Sequence, residues 1–220
     1  MPKLEYKIDA ENKDLRTVNE EVRKAVERGD SVLIENAEGL HGLAAGLKKG
    51  TIIVNGDAGD YVAALNDGAT IVINGCAGKF VADNMTAGKV ITVGDAGYGA
   101  GEYCYGGTLV IKGNAGDFLG ALNKGATIIV TGDAEDDIGT YMVGGDIIII
   151  GDCGKNLGNY FLRGNIYVSG KWLSLGHNTK EEPVTSEDVR KLTRHFKEND
   201  VNVDPNRFRK IVPVSIKPFY

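Results

Sequence analysis

Residues 109–154 read LVIKGNAGDFLGALNKGATIIVTGDAEDDIGTYMVGGDIIIIGDCG, and the spacing inside this stretch decides the fold. Three aliphatic runs, Leu109-Val110-Ile111, Ile128-Ile129-Val130 and Ile147-Ile148-Ile149, stand 19 residues apart. Glycine follows each at a constant distance, as Gly113, Gly132 and Gly151. The pattern extends in both directions. Upstream runs are Val32-Leu33-Ile34, Ile52-Ile53-Val54, Ile71-Val72-Ile73 and Val90-Ile91-Thr92; downstream comes Ile166-Tyr167-Val168. Short β-branched runs bounded by glycine read as strands. They are too short for helices. A fixed period held from residue 32 to residue 170 marks stacked identical units.

Each unit carries glycine at set phases. The small residue that follows each run, its phase residue, is Ala37, Gly56, Gly75, Gly94, Gly113, Gly132, Gly151 or Gly170, every step being 19 residues. A second glycine three residues on gives Gly56/Gly59, Gly75/Gly78, Gly94/Gly97, Gly113/Gly116 and Gly151/Gly154. Seven residues past the phase residue only Gly or Ala occurs: Ala44, Ala63, Ala82, Gly101, Gly120, Gly139 and Gly158. Some of these glycines suit corners that need φ > 0. The invariably small position reads as a place where the coil is too narrow for a side chain. The expected fold is an all-β solenoid, a right-handed parallel β-helix of about seven to eight 19-residue coils with neighbours ~4.8 Å apart. Residues at phase minus four (Leu33, Ile52, Ile71, Val90, Leu109, Ile128, Ile147, Ile166) are expected in the core.

A stack has two raw ends, and the flanking sequence offers covers for them. Asp14 to Arg28 is amphipathic, with Leu15, Val18, Val22 and Val26 on one face and Gly29 as the stop. Thr185 to Glu198 is a second helix, with Ser186 near its N-cap. Ile211 to Tyr220 is apolar and extended. The expected organisation is an N-terminal extension and capping helix over 1–31, the β-helix over 32–170, and a C-terminal helix and extended tail over 171–220. Either helix has a second reading as a dock for a partner subunit.

Composition narrows the function. Lys+Arg total 25 against 30 Asp+Glu, a net charge of −5. Mild acidity argues against nucleic acid or an anionic membrane as the main partner. The opening MPKLEYKIDAENKD is polar, and no apolar run approaches the ~18 residues of a membrane span. A cytoplasmic location is expected. Cys76, Cys104 and Cys153 are odd in number and far apart, so they read as buried or turn thiols, not as a disulfide framework or metal site.

Gly94-Gly97-Gly101, Gly113-Gly116-Gly120 and Gly151-Gly154-Gly158 share a G-x-x-G-x-x-x-G spacing. That spacing, with Tyr141-Met142-Val143-Gly144-Gly145 and then Gly151 to Gly158 (GDCGKNLG), resembles the GXGXG domain that ends the large subunit of glutamate synthase. Glu102 to Gly107 is a weaker copy of the tyrosine-containing stretch. The resemblance implies a domain with no catalytic residues, cofactor or metal of its own. It braces an amidotransferase against a synthase domain that carries FMN and iron–sulfur. As a separate chain it would serve protein partners, the amidotransferase and FMN synthase chains, in a glutamate synthase-type complex. The same domain also serves N-methylglutamate synthase and formylmethanofuran dehydrogenase. Self-association is a further expectation.

Two turns break the pattern and are the candidate interface. The sixth is acidic: Asp133, Glu135 (where glycine is expected), Asp136 and Asp137 follow Gly132. It offers oxygen ligands for a hard cation, but lacks the spacing of calcium-binding β-rolls. It therefore reads as a charged turn, with a docking patch as its functional alternative. The fourth turn is aromatic, with Tyr98, Tyr103 and Tyr105, residues of the type that anchor interfaces. A hydrolase needs G-x-S-x-G with His and an acid; no such sequence occurs, and Ser169 and Ser174 are not flanked for it. No Walker A sequence occurs, and Gly97-Tyr98-Gly99-Ala100-Gly101 is not followed by a helix, so a nucleotide site is not expected.

Overall fold

A computed structural model describes residues 5–216; Met1 to Leu4 and the end of the predicted tail, Lys217 to Tyr220, lie outside the described residues. The chain order is β1 (Glu5–Asp9), α1 (Leu15–Arg28), β2 (Ser31–Glu35), β3 (Thr51–Asn55), β4 (Asp67–Ile73), β5 (Ala87–Thr92), β6 (Thr108–Ile111), β7 (Lys124–Val130), β8 (Gly144–Ile149), β9 (Asn165–Val168), β10 (Thr179–Glu182), α2 (Ser186–Glu198) and β11 (Arg209–Pro213). One sheet takes them in the order β1 to β9, then β11, then β10. From β1 to β9 every neighbour is parallel. The chain is thus a parallel β-solenoid of about seven turns, as the period requires. A second ladder of single bridges, Ala58–Ala77–Ala96–Ala115–Ala134–Cys153–Trp172, runs down another side.

Alternation along the strands sorts the aliphatic residues. Ile71, Val90, Leu109, Ile128, Ile147 and Ile166 pair in register and are fully buried inside the coils. The first coil departs from the expected register. Val32, not Leu33, pairs with Ile52, a separation of 20 residues, so Val32 enters the core and Leu33 turns outward. Asn36 then occupies the position of Gly56, and both have positive φ (59° and 112°). The extra residue falls between Asn36 and His41, because the next corner returns to the 19-residue step.

That corner explains the small residues. In each coil three alternate residues take the left-handed conformation, as in Tyr61-Ala63-Leu65 (φ 57°, 60°, 58°) and Phe118-Gly120-Leu122 (59°, 62°, 56°). The conformation reverses the direction of alternate N–H groups. Tyr61 and Leu65 N–H donate forward to Lys79 and Asp83 carbonyls at 2.8 and 2.7 Å. Ala63 N–H donates backward to Leu43 O at 2.9 Å. The arc is therefore stitched to both neighbouring coils without being a strand. The middle residue points inward and must be small; the outer two point away and tolerate any size. Each bulky left-handed residue costs roughly 1–2 kcal/mol, offset by bonds that only this geometry makes. The small position is thus both narrow and left-handed.

The turn glycines differ from this, and of those in the G-x-x-G pairs Gly56 alone is left-handed. Gly94, Gly113 and Gly132 have ordinary φ and act by close approach instead: a Cβ on Gly132 would lie 2.6 Å from Gly113 O. The second glycines of the G-x-x-G pairs behave the same way. Neither Gly59 nor Gly78 is left-handed. A Cβ on Gly59 would lie 2.6 Å from Leu40 O, and one on Gly78 would lie 2.7 Å from Asp60 N. The backbone of the preceding coil, not a corner, is what demands glycine there.

The ends are closed in different ways. Helix α1 is capped by the Asp14 carboxylate, which accepts from Thr17 N at 2.7 Å, and by left-handed Gly29. It buries Val18, Val22, Ala25 and Val26. The first arc has no preceding coil to receive its middle N–H. Asn19 of α1 supplies the missing partner: Ala44 N donates to Asn19 Oδ1 at 2.8 Å, and Asn19 Nδ2 donates to Gly42 O at 3.1 Å. At the other end strands do this work, β11 pairing antiparallel with β9 and β10 with β11. Helix α2 crosses the outer face of the sheet. Leu192 and Phe196 pack with Phe208 on Val110, Ile129, Ile148 and Tyr167. Thirteen residues make a helix about 20 Å long; the four steps from β9 to β5 cover about 19 Å. Accordingly Asp188 meets Tyr167 of β9 and Glu198 O meets Lys89 of β5.

The two requirements at the small position separate by mutation. A Cβ on Gly120 would meet Ile147 Cδ1 at 2.6 Å, at φ +62°. Gly120→Ala is expected to lower unfolding free energy by about 2 kcal/mol in urea titrations. Ala63→Gly, which loses a methyl but relieves the backbone, is expected to change it by under about 1 kcal/mol.

Candidate functional site

Backbone N–H groups at the turns after the strands point along the stack, and side-chain oxygens of the preceding coil receive them. Asp57, Asp95, Asn114, Asp133 and Asp152 form one such ladder, accepting from Cys76, Asn114, Asp133, Asp152 and Lys171 N at 2.7–2.9 Å. A parallel ladder uses Asp60, Asp117 and Asp136, which accept from Lys79, Asp136 and Lys155 N. His41 begins it, its Nδ1 accepting from Asp60 N at 3.0 Å. Of the predicted acidic turn, Asp133 and Asp136 are therefore ladder rungs. Asp137 is the outer left-handed residue of its arc. Glu135 replaces the second turn glycine and belongs to neither ladder.

Between the ladders runs a groove of about 620 Å³ whose floor is Ala96, Ala115 and Ala134. Asp95 and Asp133 line it on one side, Tyr98, Asp117 and Glu135 on the other. Of the repeat glycines only Gly97 and Gly116 border it; Gly59 and Gly78, their equivalents in the two preceding coils, do not. The structure thus joins Tyr98 of the fourth turn to Asp133 and Glu135 of the sixth. Asp136 and Asp137 do not line the groove. Tyr103 and Tyr105 lie elsewhere, around Lys124: its ammonium sits 3.8 Å from the Tyr105 ring centre and 5.7 Å from that of Tyr103.

Tyr98 has a second context that sequence reading missed. Tyr61, Phe80, Tyr98 and Phe118 form a continuous aromatic stack up four coils, with successive centroids 4.8, 5.5 and 5.2 Å apart. Tyr61, Phe80 and Phe118 keep the 19-residue phase, but Gly99 holds the left-handed position in the fourth coil and Tyr98 fills the gap from next door. That one-residue slip hid the stack. A second line, Tyr141, Tyr160 and His177, continues on the outer arc positions with centroids 5.7 and 4.6 Å apart. Tyr61, Tyr98, Tyr103, Tyr105 and Tyr141 are all more than a third exposed.

Among the described residues, reactive groups are not assembled. Cys104 and Cys153 are buried, and burial pushes both thiols up to about 12. Cys76 is exposed and stands in the first ladder row. Ser174 Oγ accepts from Asn156 N at 3.0 Å. Among the described residues no hydrogen bond joins a serine to a histidine, and no group of three His, Cys, Asp or Glu is placed to hold a metal ion. No helix among them is long and apolar enough to cross a membrane.

The buried polar centre lies under α2. Asp188 accepts from Tyr167 OH at 2.5 Å, from Thr185 N and Oγ1 at 2.9 and 2.7 Å, and pairs with Lys210 at 3.0 Å. Burial alone would raise this carboxyl; the bonds from Tyr167, Thr185 and Lys210 outweigh it and hold it well below the usual carboxylate range. Burial and then the Asp188 bond push the Tyr167 phenol far up. The cluster is a fastening for α2, without access for a substrate: Tyr167 is fully buried.

Residues 98–201 match the family model described as the GXGXG motif. None of the curated proteins compared with the chain matches it. The matched segment opens at Tyr98, and its left-handed triplets begin at Gly99-Gly101-Tyr103, with the same geometry as the unmatched coils before it.

Asp188 sets an acid limit on the fold. A carboxyl held low when folded stabilises above its unfolded value of ~3.9, and that stability is lost as pH falls below it. Unfolding free energy is expected to drop as pH falls from about 4. Asp188→Asn should cost about 3 kcal/mol at pH 7, by leaving Lys210 unpaired, and flatten the acid slope. Urea titrations at pH 3 to 7 measure both.

Proposed function

With the GXGXG motif running through residues 98–201, we propose that the chain is a non-catalytic structural and docking subunit of a glutamate synthase-type complex in the cytoplasm. Partner chains would carry the FMN, the iron–sulfur and the transfer of the glutamine amide to 2-oxoglutarate. The observation that carries this reading is how the solenoid spends its polar groups. Turn carboxylates and left-handed N–H groups serve coil-to-coil bonding. Among the large hydrophobic residues left outward is a run of tyrosines on a rigid frame, the residue type enriched in interface hot spots. Tyr98 belongs to both the groove and the aromatic stack, so this flank is the proposed dock. The protein partner, not a ligand in this chain, would supply the chemistry.

Co-expression with separate amidotransferase and FMN synthase chains from the same genome tests it. A stable complex is expected, recovered at least about tenfold less well by a Tyr61→Ala/Tyr98→Ala variant, as for loss of hot-spot residues. Purification from native extract with neither chain attached would contradict the reading. Partners from a methylamine-dependent or a formylmethanofuran-processing oxidoreductase would instead place the same domain in one of those complexes.

A further inference from the structure

The outward face of α2 carries a row of three cations, with Glu187 and Glu198 exposed beside it. Leu192, Phe196 and Asp188 face the sheet. On the opposite side Arg190, Arg194 and Lys197, four and three residues apart, are exposed. Lys191, at the helix flank, is paired with Asp146 at 2.8 Å. Arg190, Arg194 and Lys197 form no ion pair among the described residues. Glu187 stands three residues before Arg190 and Glu198 four after Arg194, at the spacing of helix ion pairs, yet neither comes within ion-pair distance of those arginines.

The chain also carries the complement. The groove between the side-chain ladders is lined by Asp95, Asp117, Asp133 and Glu135 and by no lysine or arginine. The rungs Asp95, Asp117 and Asp133 each give one carboxylate oxygen to the next coil. Glu135 has no ladder duty. Dimensions agree: Arg190 to Lys197 spans about 10 Å along the helix, and two coil steps, Asp95 to Asp133, span about 10 Å along the stack. Tyr98 on the groove wall adds a ring face on which a guanidinium stacks. A chain cannot satisfy itself this way, because the buried face of α2 fixes the stripe outward. Both patches belong to the same level of the stack: α2 lies over β5 to β9, and the groove follows β5 to β7. Two copies can therefore exchange contacts reciprocally.

We propose that the α2 stripe of one copy occupies the acidic groove of a second, giving a weak, salt-sensitive dimer. Exposed ion pairs contribute only ~0–1 kcal/mol each. Reciprocity doubles their number, and the contact of arginine with Tyr98 adds to them. The proposal does not rest on the complex above, but Tyr98 belongs to both surfaces, so a partner chain docked on that flank would compete with the dimer.

Sedimentation velocity of the full chain across a concentration series tests it, at about 50 and about 500 mM NaCl, either side of the salt at which screening length is ~10 Å. A dimer is expected whose dissociation constant rises at least about tenfold at the higher salt. R190E/R194E and E135R, each with an unchanged thermal melt, should each be monomeric. An equal mixture of the two should recover a heterodimer, since the unaltered stripe of E135R then meets the unaltered groove of R190E/R194E. A wild-type chain monomeric throughout, a dimer indifferent to R190E/R194E, or no recovery on mixing would overturn the proposal. Glu135 carries no coil-to-coil bond through its side chain, so E135R keeps the test independent of folding.

Discussion

Every coil must find hydrogen-bond partners in the coil above and the coil below, at the fixed separation of neighbouring strands. Strands meet this demand on one side of the solenoid, as β-sheets do anywhere. The corners meet it by a less common device, three alternate left-handed residues that turn successive N–H groups forward and backward along the stack. Most other features answer the same demand. The middle residue of each arc is Gly or Ala because it points inward. Asp and Asn recur after the strands because their oxygens receive the next coil's N–H. Asn19 of α1 exists in its place because the first arc has no coil before it.

The period made the fold legible, and physical reasons explain what it concealed. Strand positions, inward residues and turn glycines follow from a repeat whose strands must stay in register. The 20-residue first coil was hidden because Ala37 happens to keep the 19-residue phase with Gly56, while the true equivalent is Asn36. Left-handed corners were hidden where Tyr61, Leu65, Phe118 and Leu122 occupy positions at which glycine would have been the signal. Gly59 and Gly78 are the opposite case, glycine where the backbone is crowded and not left-handed. Whether α2 covers an end or a flank depends on tertiary contacts of Leu192 and Phe196, and an amphipathic pattern looks the same in both cases.

The candidate surface was partly legible. Tyr98, Asp133 and Glu135 come from the two turns that break the pattern, and the stack brings them into one groove although they are 35 and 37 residues apart in sequence. Asp136 and Asp137 were drawn in by charge alone; one serves a ladder and the other a corner. Tyr103 and Tyr105 belong with Lys124. The aromatic stack was missed because it slips by one residue at Gly99. An interface is a property of surfaces, and surfaces are assembled across coils.

If stacking register is the governing constraint, the protein tolerates losing a whole coil and not part of one. Removing Thr51 to Ala69 joins Gly50 to Thr70, which replaces Thr51 in register with the first coil, and leaves the strands under α2 untouched. Thermal unfolding followed by circular dichroism decides the matter. The account predicts a single cooperative transition for this 19-residue deletion and none for removal of Thr51 to Asp60, which leaves half a coil. A shortened chain that is unfolded after the whole-coil deletion, or equally cooperative after the half-coil one, would contradict it.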